Sequence, residues 1–373
     1  MRIAQVANFV TPTSGGLRTS LSHLAEGYAE RGHEVTLVVP GHADGVAETP
    51  WGHRVTVRSP ALGATGYRLL VDAGAVRRAL ERAAPDVLEV HDRTTLRSLG
   101  RWAHDRGVPS LVVSHERLDR WLGQWLPGRL PLERLADRSN ATLARSFDTV
   151  VCTTEWAAEE FRRLDVPRLA VVPLGVDAET FPWRRGAPSS EAPAAGPASI
   201  SLVMASRLSR EKRPEVAVDT VRELARRGVA VRLTVAGDGP LRRRLEAASR
   251  DLPIDWLGHV GDRAALAGRL AAADVALAPG PVETFGLAAL EAVACGTPVV
   301  ADAGSALPGV LGPEAGRAAT GGGPAFADAV QDVLTVPEVV RRAAARARAE
   351  QFPWAATVRG FLDVHATALG RPA

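Results

Sequence analysis

The sequence predicts an α/β protein built from two doubly wound domains, and three observations predict it. The chain has 373 residues, more than one hydrophobic core usually serves, so two domains of roughly 150–200 residues are expected. Short β-branched runs alternate with amphipathic segments in both halves, the rhythm of strands separated by crossover helices. Between the two series lies PWRRGAPSSEAPAAGPA, residues 182–198, whose Pro, Ala, Ser and Gly content supports no regular element.

Taken in order, the first series reads as strands at Ile3–Ala7, Glu34–Val39, Arg54–Val57, Asp86–Val90, Ser110–Val113, Asp148–Cys152 and Leu169–Val172. Helices are expected near 17–31, 68–83, 94–106 and 155–164. The second series has strands at Ser201–Ala205, Val231–Ala236, Ile254–Leu257, Val275–Ala278 and Thr297–Ala301, with helices near 214–227, 241–249, 262–272 and 286–294. The last forty residues read as helical, and Pro353 should break that run. The expected organisation is a first domain over 1–180, a linker or exposed loop over 181–198, and a second domain over 199–352. Doubly wound domains bind ligands beyond the carboxyl ends of their strands, here in a cleft between the two.

Composition narrows the function. Lys and Arg number 45 against 42 Asp and Glu, a balance that implies no nucleic-acid partner, and 46% of residues are hydrophobic, as in a folded soluble protein. Cys152 and Cys295 stand far apart without metal-like spacing and read as small buried hydrophobes. The opening MRIAQVAN is too short for a secretory signal, and no segment reaches the ~18 apolar residues of a spanning helix. A cytoplasmic location is expected, with peripheral contact at the inner face of the plasma membrane left open. No D-x-D, H-x-x-x-H or H-E-x-x-H occurs, so no essential metal is expected.

Candidate chemistry sits at strand ends. Gly15 and Gly16, in NFVTPTSGGLRTS, open a helix and read equally as a phosphate cradle or a plain tight turn. ASRLSREKRPE, residues 205–215, carries Arg207, Arg210, Lys212 and Arg213, of which Arg207 and Lys212 suit a diphosphate; a surface charge run is the alternative. In PVETFGLAALEAVACGTPVV, residues 281–300, Glu283 and Glu291 interrupt an apolar run around a helix start. Placed at a cleft they would accept hydrogen bonds from sugar or ribose hydroxyls; the bland reading is one helix-dipole acid and one exposed acid. His91 in HDR and His115 in SHERLD follow first-domain strands, placed to donate to or orient a hydroxyl, though nearby Asp92, Arg93, Glu116 and Arg117 make capping or ion pairing a competing role. LDRWLGQWLPGRL, residues 118–130, spaces Leu118, Trp121, Leu122, Trp125 and Leu126 helically among arginines, as a lipid-facing surface or a core helix would. The sequon at Asn140 reads as an ordinary turn or helix start.

Together, Gly15-Gly16, PLGVD ending at Asp177, Arg207 with Lys212, AGDGP from Ala236, WLGHV from Trp256 to Val260, and ETFGLAALE followed by GTPVV resemble the retaining GT-B glycosyltransferases of family four over nearly the whole chain. The resemblance implies two Rossmann-like domains, with the C-terminal helix of 353–373 returning to the first. It also implies hexose transfer from a nucleotide diphosphate sugar with retention and without an essential metal. By resemblance Arg207 and Lys212 hold the diphosphate, Gly16 meets donor phosphate or sugar, and Glu283 contacts the transferred sugar. Phe285, Gly286 and Leu287 frame sugar and phosphate by backbone, Glu291 holds the ribose, the backbone at His259 and Val260 meets the base, and His115 matches the active-site histidine. EVHDRTTLRSLGRW and VVSHERLD look most like actinobacterial mannosyltransferases acting on phosphatidylinositol-type glycolipids. GDP-mannose is therefore the expected donor, with UDP-glucose or UDP-N-acetylglucosamine as alternatives. A glycolipid or small molecule is the expected acceptor. A sugar-nucleotide epimerase and a non-catalytic sugar-binding module are the competing classes.

Overall fold

The computed structural model of the chain describes residues 1–11, 15–63, 66–124, 126, 131–183 and 199–370. Most of the stretch read as a linker, and Trp125 and Arg129, lie outside the described residues. The chain divides into two compact units, Met1–Leu174 with Trp354–Ala373, and Gly175–Pro353. Residues 175–180, assigned from sequence to the first domain, thus group with the second unit. Hydrogen bonds hold them there: Val176 N–H donates to the Phe352 carbonyl at 2.8 Å, and Arg346 donates to the Ala178 carbonyl at 3.4 Å.

The first unit is an eight-stranded sheet of β1 (Arg2–Ala7), β2 (Glu34–Gly41), β3 (Gly45–Thr49), β4 (Gly52–Arg58), β5 (Val87–His91), β6 (Ser110–Ser114), β7 (Thr149–Cys152) and β8 (Leu169–Val171), in the order β3-β4-β2-β1-β5-β6-β7-β8. All neighbours are parallel except β3 and β4. The sequence did not announce β3, because GVAET is an almost wholly exposed edge hairpin with no alternation to read. The central strands are apolar without alternation because both faces are covered: in β6, Leu111 and Val113 enter one core and Val112 the other. The helix Trp354–Ala368 closes one of these cores, burying Val358 and Phe361 with Leu24 and Tyr28 of the helix Gly16–Ala29. Each such side chain contributes about 1.5–3 kcal/mol, enough to hold the chain terminus in this unit.

The second unit is a six-stranded, wholly parallel sheet of β9 (Ile200–Ala205), β10 (Val231–Ala236), β11 (Ile254–Gly258), β12 (Val275–Ala278), β13 (Val299–Asp302) and β14 (Gly316–Ala319), in the order β11-β10-β9-β12-β13-β14. The chain winds outward from β9 through β10 to β11, then returns to the other side of β9 with β12. The strand direction of winding therefore reverses between β9 and β12, and the crevice beyond their carboxyl ends is where such sheets take ligands. The helices Pro214–Arg226 and Gly323–Thr335 cover one face, the latter burying Phe326 and Val330. That helix and β14 were not foreseen; GRAA has no β-branched residue to mark it as a strand.

Candidate active site

Two strand ends of the second unit flank its switch point. Beyond β9 the chain runs through Arg207 to a short 3₁₀ turn, Arg210–Lys212, and then Arg213 takes a left-handed conformation (φ 47°) so that Pro214 can open the next helix. The loop after β10 buttresses this one: Leu208 N–H donates to the Asp238 carbonyl at 2.9 Å, and the Leu208 carbonyl accepts from Leu241 N–H at 3.0 Å. Contact this close needs the first glycine of AGDGP, since a Cβ on Gly237 would lie 1.8 Å from the Ser206 carbonyl oxygen.

Three of the four basic residues of this segment separate by their partners. Arg213 pairs with Asp302 at 3.1 Å and donates to the Gly321 carbonyl, so it ties the ends of β13 and β14 together. Arg207 donates to Ser209 Oγ at 3.2 Å and pairs with Glu211, with its side chain still 46% exposed. Lys212 Nζ pairs with Glu283 from the β12 side of the switch point. The lysine and one of the two acids that interrupt the apolar run thus meet at one place.

Glu283 is held by its main chain, its carbonyl accepting from Ala306 N–H at 2.9 Å. The following residues have distinct tasks. Phe285 is buried edge-on to Phe352, with ring centroids 6.0 Å apart. Gly286 turns at φ 79° with Leu307 so close that a Cβ would lie 2.4 Å from its Cδ2. Leu287 then starts the helix Leu287–Ala294, whose first-turn N–H groups, with the positive end of the helix dipole, lie beside Glu283. At the other end Arg346 donates to the Ala294 carbonyl at 2.9 Å and satisfies the negative end.

Glu291 is not the exposed mid-helix acid of the bland reading. Leu290 and Val293 go into the core, while the Glu291 side chain, 12% exposed, lies with Oε1 3.4 Å from Arg263 Nη2. The Arg263 guanidinium in turn covers the ring of Phe181 at 4.8 Å. Burial pushes the Glu291 carboxyl up to about 7; Arg263 partly offsets this and Asp177 adds to it. Between its ordinary value and about 7 the folded protein then binds a proton here that the unfolded chain does not. This group's contribution to stability is present at low pH and lost as pH rises through about 7. Glu291→Gln removes the titration, so the melting temperature of the variant relative to wild type is expected to climb between about pH 5 and pH 8 in thermal scans. A difference independent of pH would contradict this.

His259 and Val260 follow β11, at the outer edge of the sheet, with His259 exposed after Gly258. They belong to the same sheet end but two strands away from β9.

In the first unit, Gly15 caps the helix that begins at Gly16, with φ −81° and ψ −109°, and among the described residues no atom lies within 4 Å of an added Cβ. Packing against the described residues therefore does not require glycine at Gly15, and the tight turn and the phosphate cradle both stand as readings. His91 and His115, at the ends of β5 and β6, are brought together: His91 Nδ1 is 3.0 Å from His115 Nε2 and the rings stack at 5.3 Å. Behind them Glu89 is fully buried and takes hydrogen bonds from Gln5, Tyr28 and His91. The neighbouring charges act elsewhere. Asp92 accepts from the N–H groups of Thr94, Thr95 and Leu96, Arg93 pairs with Glu160 at 3.1 Å and donates to Asn140, and Arg117 pairs with Asp119 at 3.1 Å. Asn140 is buried within the helix Leu132–Ala144, so its sequon is a packing position and not a turn.

Trp121 lies on the helix Leu118–Gly123, which buries none of its residues, so the core-helix reading of this segment fails for its described part. Among the described residues no group of three or more His, Cys, Asp or Glu is placed to hold a metal ion, and no helix is long and apolar enough to cross a membrane. Cys152 and Cys295 are buried free thiols, each pushed up to about 12 by burial.

Residues 15–175 match the family model described as a glycosyl transferase 4-like domain, and residues 199–335 match that of glycosyl transferases group 1. A GDP-mannose-dependent alpha-(1-6)-phosphatidylinositol dimannoside mannosyltransferase of Mycobacterium tuberculosis (strain ATCC 25177 / H37Ra) is 49% identical over 95% of this chain and 93% of its own length. The chain belongs to the family-four glycosyltransferases. A D-inositol 3-phosphate glycosyltransferase of Xylanimonas cellulosilytica is 30% identical over 97% of this chain and 94% of its own. Among solved structures, sucrose-phosphate synthase from Thermosynechococcus elongatus superposes with a TM-score of 0.79 at 20% identity, covering 99% of both chains. Anabaena HepE in complex with UDP-glucose gives 0.73 at 17% identity, covering 98% of this chain and 100% of its own. These two share the GT-B fold, which the two sheets of this glycosyltransferase form. In the glycosyltransferase, sequence reasoning missed Arg263 beside Glu291 and the Glu89 cluster behind His115. Arg263 left no signal, since it reads as one more cation after a helix-capping Asp262. Glu89 left one: it is a lone acid inside the apolar run DVLEV.

Proposed function

We propose that this glycosyltransferase moves mannose from GDP-mannose, with retention of configuration, to a hydroxyl of a mannosylated phosphatidylinositol-type glycolipid. The observation that carries the chemistry is the meeting of Lys212 and Glu283 at the switch point of the second sheet, beside a helix N-terminus. The mycobacterial relative at 49% identity supports the choice of donor and acceptor. On this reading Arg207, Lys212 and the N–H groups after Gly286 take the donor diphosphate, Glu283 the hydroxyls of the hexose, Glu291 the ribose diol, and the backbone at His259 and Val260 the base. The resemblance assigns Gly15 and Gly16 to donor phosphate or sugar and His115 to the hexose.

Charge builds on the leaving diphosphate as the glycosidic bond breaks, so cations fixed in place beforehand stabilise the transition state more than the ground state. The departing phosphate oxygen accepts the proton of the acceptor hydroxyl as the new bond forms on the same face, and no side chain is needed as a covalent nucleophile. Incubating the protein with GDP-mannose and a dimannosylated phosphatidylinositol should release GDP and lengthen the glycolipid by one mannose. GDP release without any acceptor-dependent product, or epimerised donor, would count against transfer.

A lipid acceptor also calls for a membrane-facing surface, and we assign it to the segment 118–130 with its neighbour. Trp121, Leu126 and Leu135 are 39%, 36% and 41% exposed, among the exposed cations Arg120, Arg134 and Arg138. Trp121→Ser is expected to cut co-sedimentation with phosphatidylinositol-containing vesicles severalfold while leaving nucleotide binding unchanged. Equal sedimentation would remove this surface from the account.

A further inference from the structure

We propose that Glu89 and His91 are positioning residues for His115: they fix its proton on Nε2, so that His115 meets the substrate with Nδ1 as a hydrogen-bond acceptor. The proposal rests on the reading that His115 contacts the substrate.

The proton positions are set outward from one fixed charge, the Glu89 carboxylate. Burial opposes ionisation of Glu89, yet His365 and His91 beside it hold its carboxyl well below the usual carboxylate range. An ionised carboxylate can only accept. Its Oε2 takes hydrogen bonds from Gln5 Nε2 at 2.8 Å and His91 Nε2 at 3.2 Å, and its Oε1 from Tyr28 Oη at 2.7 Å. His91 must therefore carry its proton on Nε2, which in the neutral ring leaves Nδ1 bare. That bare nitrogen lies 3.0 Å from His115 Nε2, so the bond between the rings needs a proton on His115 Nε2. His115 is kept neutral by its own burial, and its Nδ1 is then the lone-pair end.

The relay runs from the protein interior to the rim. Glu89 and the His91 side chain are fully buried, while His115 is half-buried at the end of β6. The far side of Glu89 is closed by the C-terminal helix, where His365 Nε2 lies 2.8 Å from Oε1. Three other stretches of chain, through Gln5, Tyr28 and His365, thus converge on one carboxylate whose charge dictates the tautomer two rings away. A histidine in this tautomer takes the hydrogen of a substrate hydroxyl and leaves that hydroxyl's oxygen free to accept from another group. The sequence had suggested the opposite polarity, with the histidine donating. At metal sites the group that orients a ligating histidine is worth about tenfold to a hundredfold, and an effect of the same order is expected here.

The test uses the full chain labelled with ¹⁵N-histidine, with His115 assigned by loss of its signals in His115→Gln. In the wild type, His115 should show the Nε2–H tautomer, and His91→Phe should move it to a mixture while lowering kcat by about tenfold to a hundredfold with little change in donor KM. His91→Asn, whose side-chain oxygen can accept from His115 Nε2, should recover part of kcat. An Nδ1–H tautomer in the wild type overturns the proposal without any variant having to fold. So does a folded His91→Phe protein with unchanged kcat and tautomer. Full turnover in His115→Ala would instead sink the reading beneath it, and the tautomer measurement separates that case because it needs no turnover.

Discussion

Lys212→Ala is expected to lower kcat by about a hundredfold to a thousandfold with the fold intact, the range seen when one preorganised group facing a developing oxyanion is removed. The magnitude follows from where the charge appears. The diphosphate gains negative charge only as the glycosidic bond breaks, so a cation held beside it acts mainly on the transition state. Lys212 is held: its turn is built on the β9 loop, that loop is braced by Leu208 and Asp238, and its ammonium pairs with Glu283. Because the side chain is 27% exposed and its removal opens no core cavity, thermal stability should change little. Steady-state kinetics with GDP-mannose, alongside a thermal scan, checks both parts. Unchanged kinetics would return the segment to a surface charge cluster.

Glu283→Gln is expected to pull two observables apart, lowering kcat/KM by about tenfold to a hundredfold while tightening GDP a few-fold. The loss follows from a charged acceptor replaced by a neutral one on the hexose, worth about 1.5–3 kcal/mol. The gain follows from the free protein, in which the Glu283 carboxylate already occupies the Lys212 ammonium that the phosphate requires. A partly exposed pair of this kind is worth no more than about 1 kcal/mol, so release of the lysine yields only a few-fold in affinity. Calorimetric titration with GDP, which lacks the sugar, isolates the second effect. Weaker GDP binding in the variant would show that the carboxylate does not compete with the phosphate.

Much of the fold was legible because buried parallel strands must be apolar on both sides, and β1, β9, β10 and β12 are all short β-branched runs bounded by turn residues. The exposed hairpin strand β3 and the alanine-rich β14 have neither property and were missed. The site was legible where physical chemistry makes a residue costly: Glu283 and Glu291 stood out as acids in apolar sequence, and both proved to be held against a cation. By that logic Glu89 in DVLEV was equally conspicuous. Its partners were not, since Gln5, Tyr28 and His365 reach it only through sheet pairing and helix docking, which no local periodicity encodes. Arg93 and Arg117 illustrate the converse: cations beside both histidines in sequence, they turn to Glu160 and Asp119 and brace the structure instead.

The central claim is that the switch point of the second sheet is the donor site of a retaining mannosyltransferase. Its most direct test follows the anomeric proton of ¹³C-labelled mannose by NMR as GDP-mannose is incubated with the protein and a dimannosylated phosphatidylinositol. The account predicts loss of the α-linked donor signal and growth of one new α-linked mannose on the lipid, both slowed about a hundredfold to a thousandfold by Lys212→Ala. A β-linked product, or transfer from a UDP-sugar with none from GDP-mannose, would contradict it.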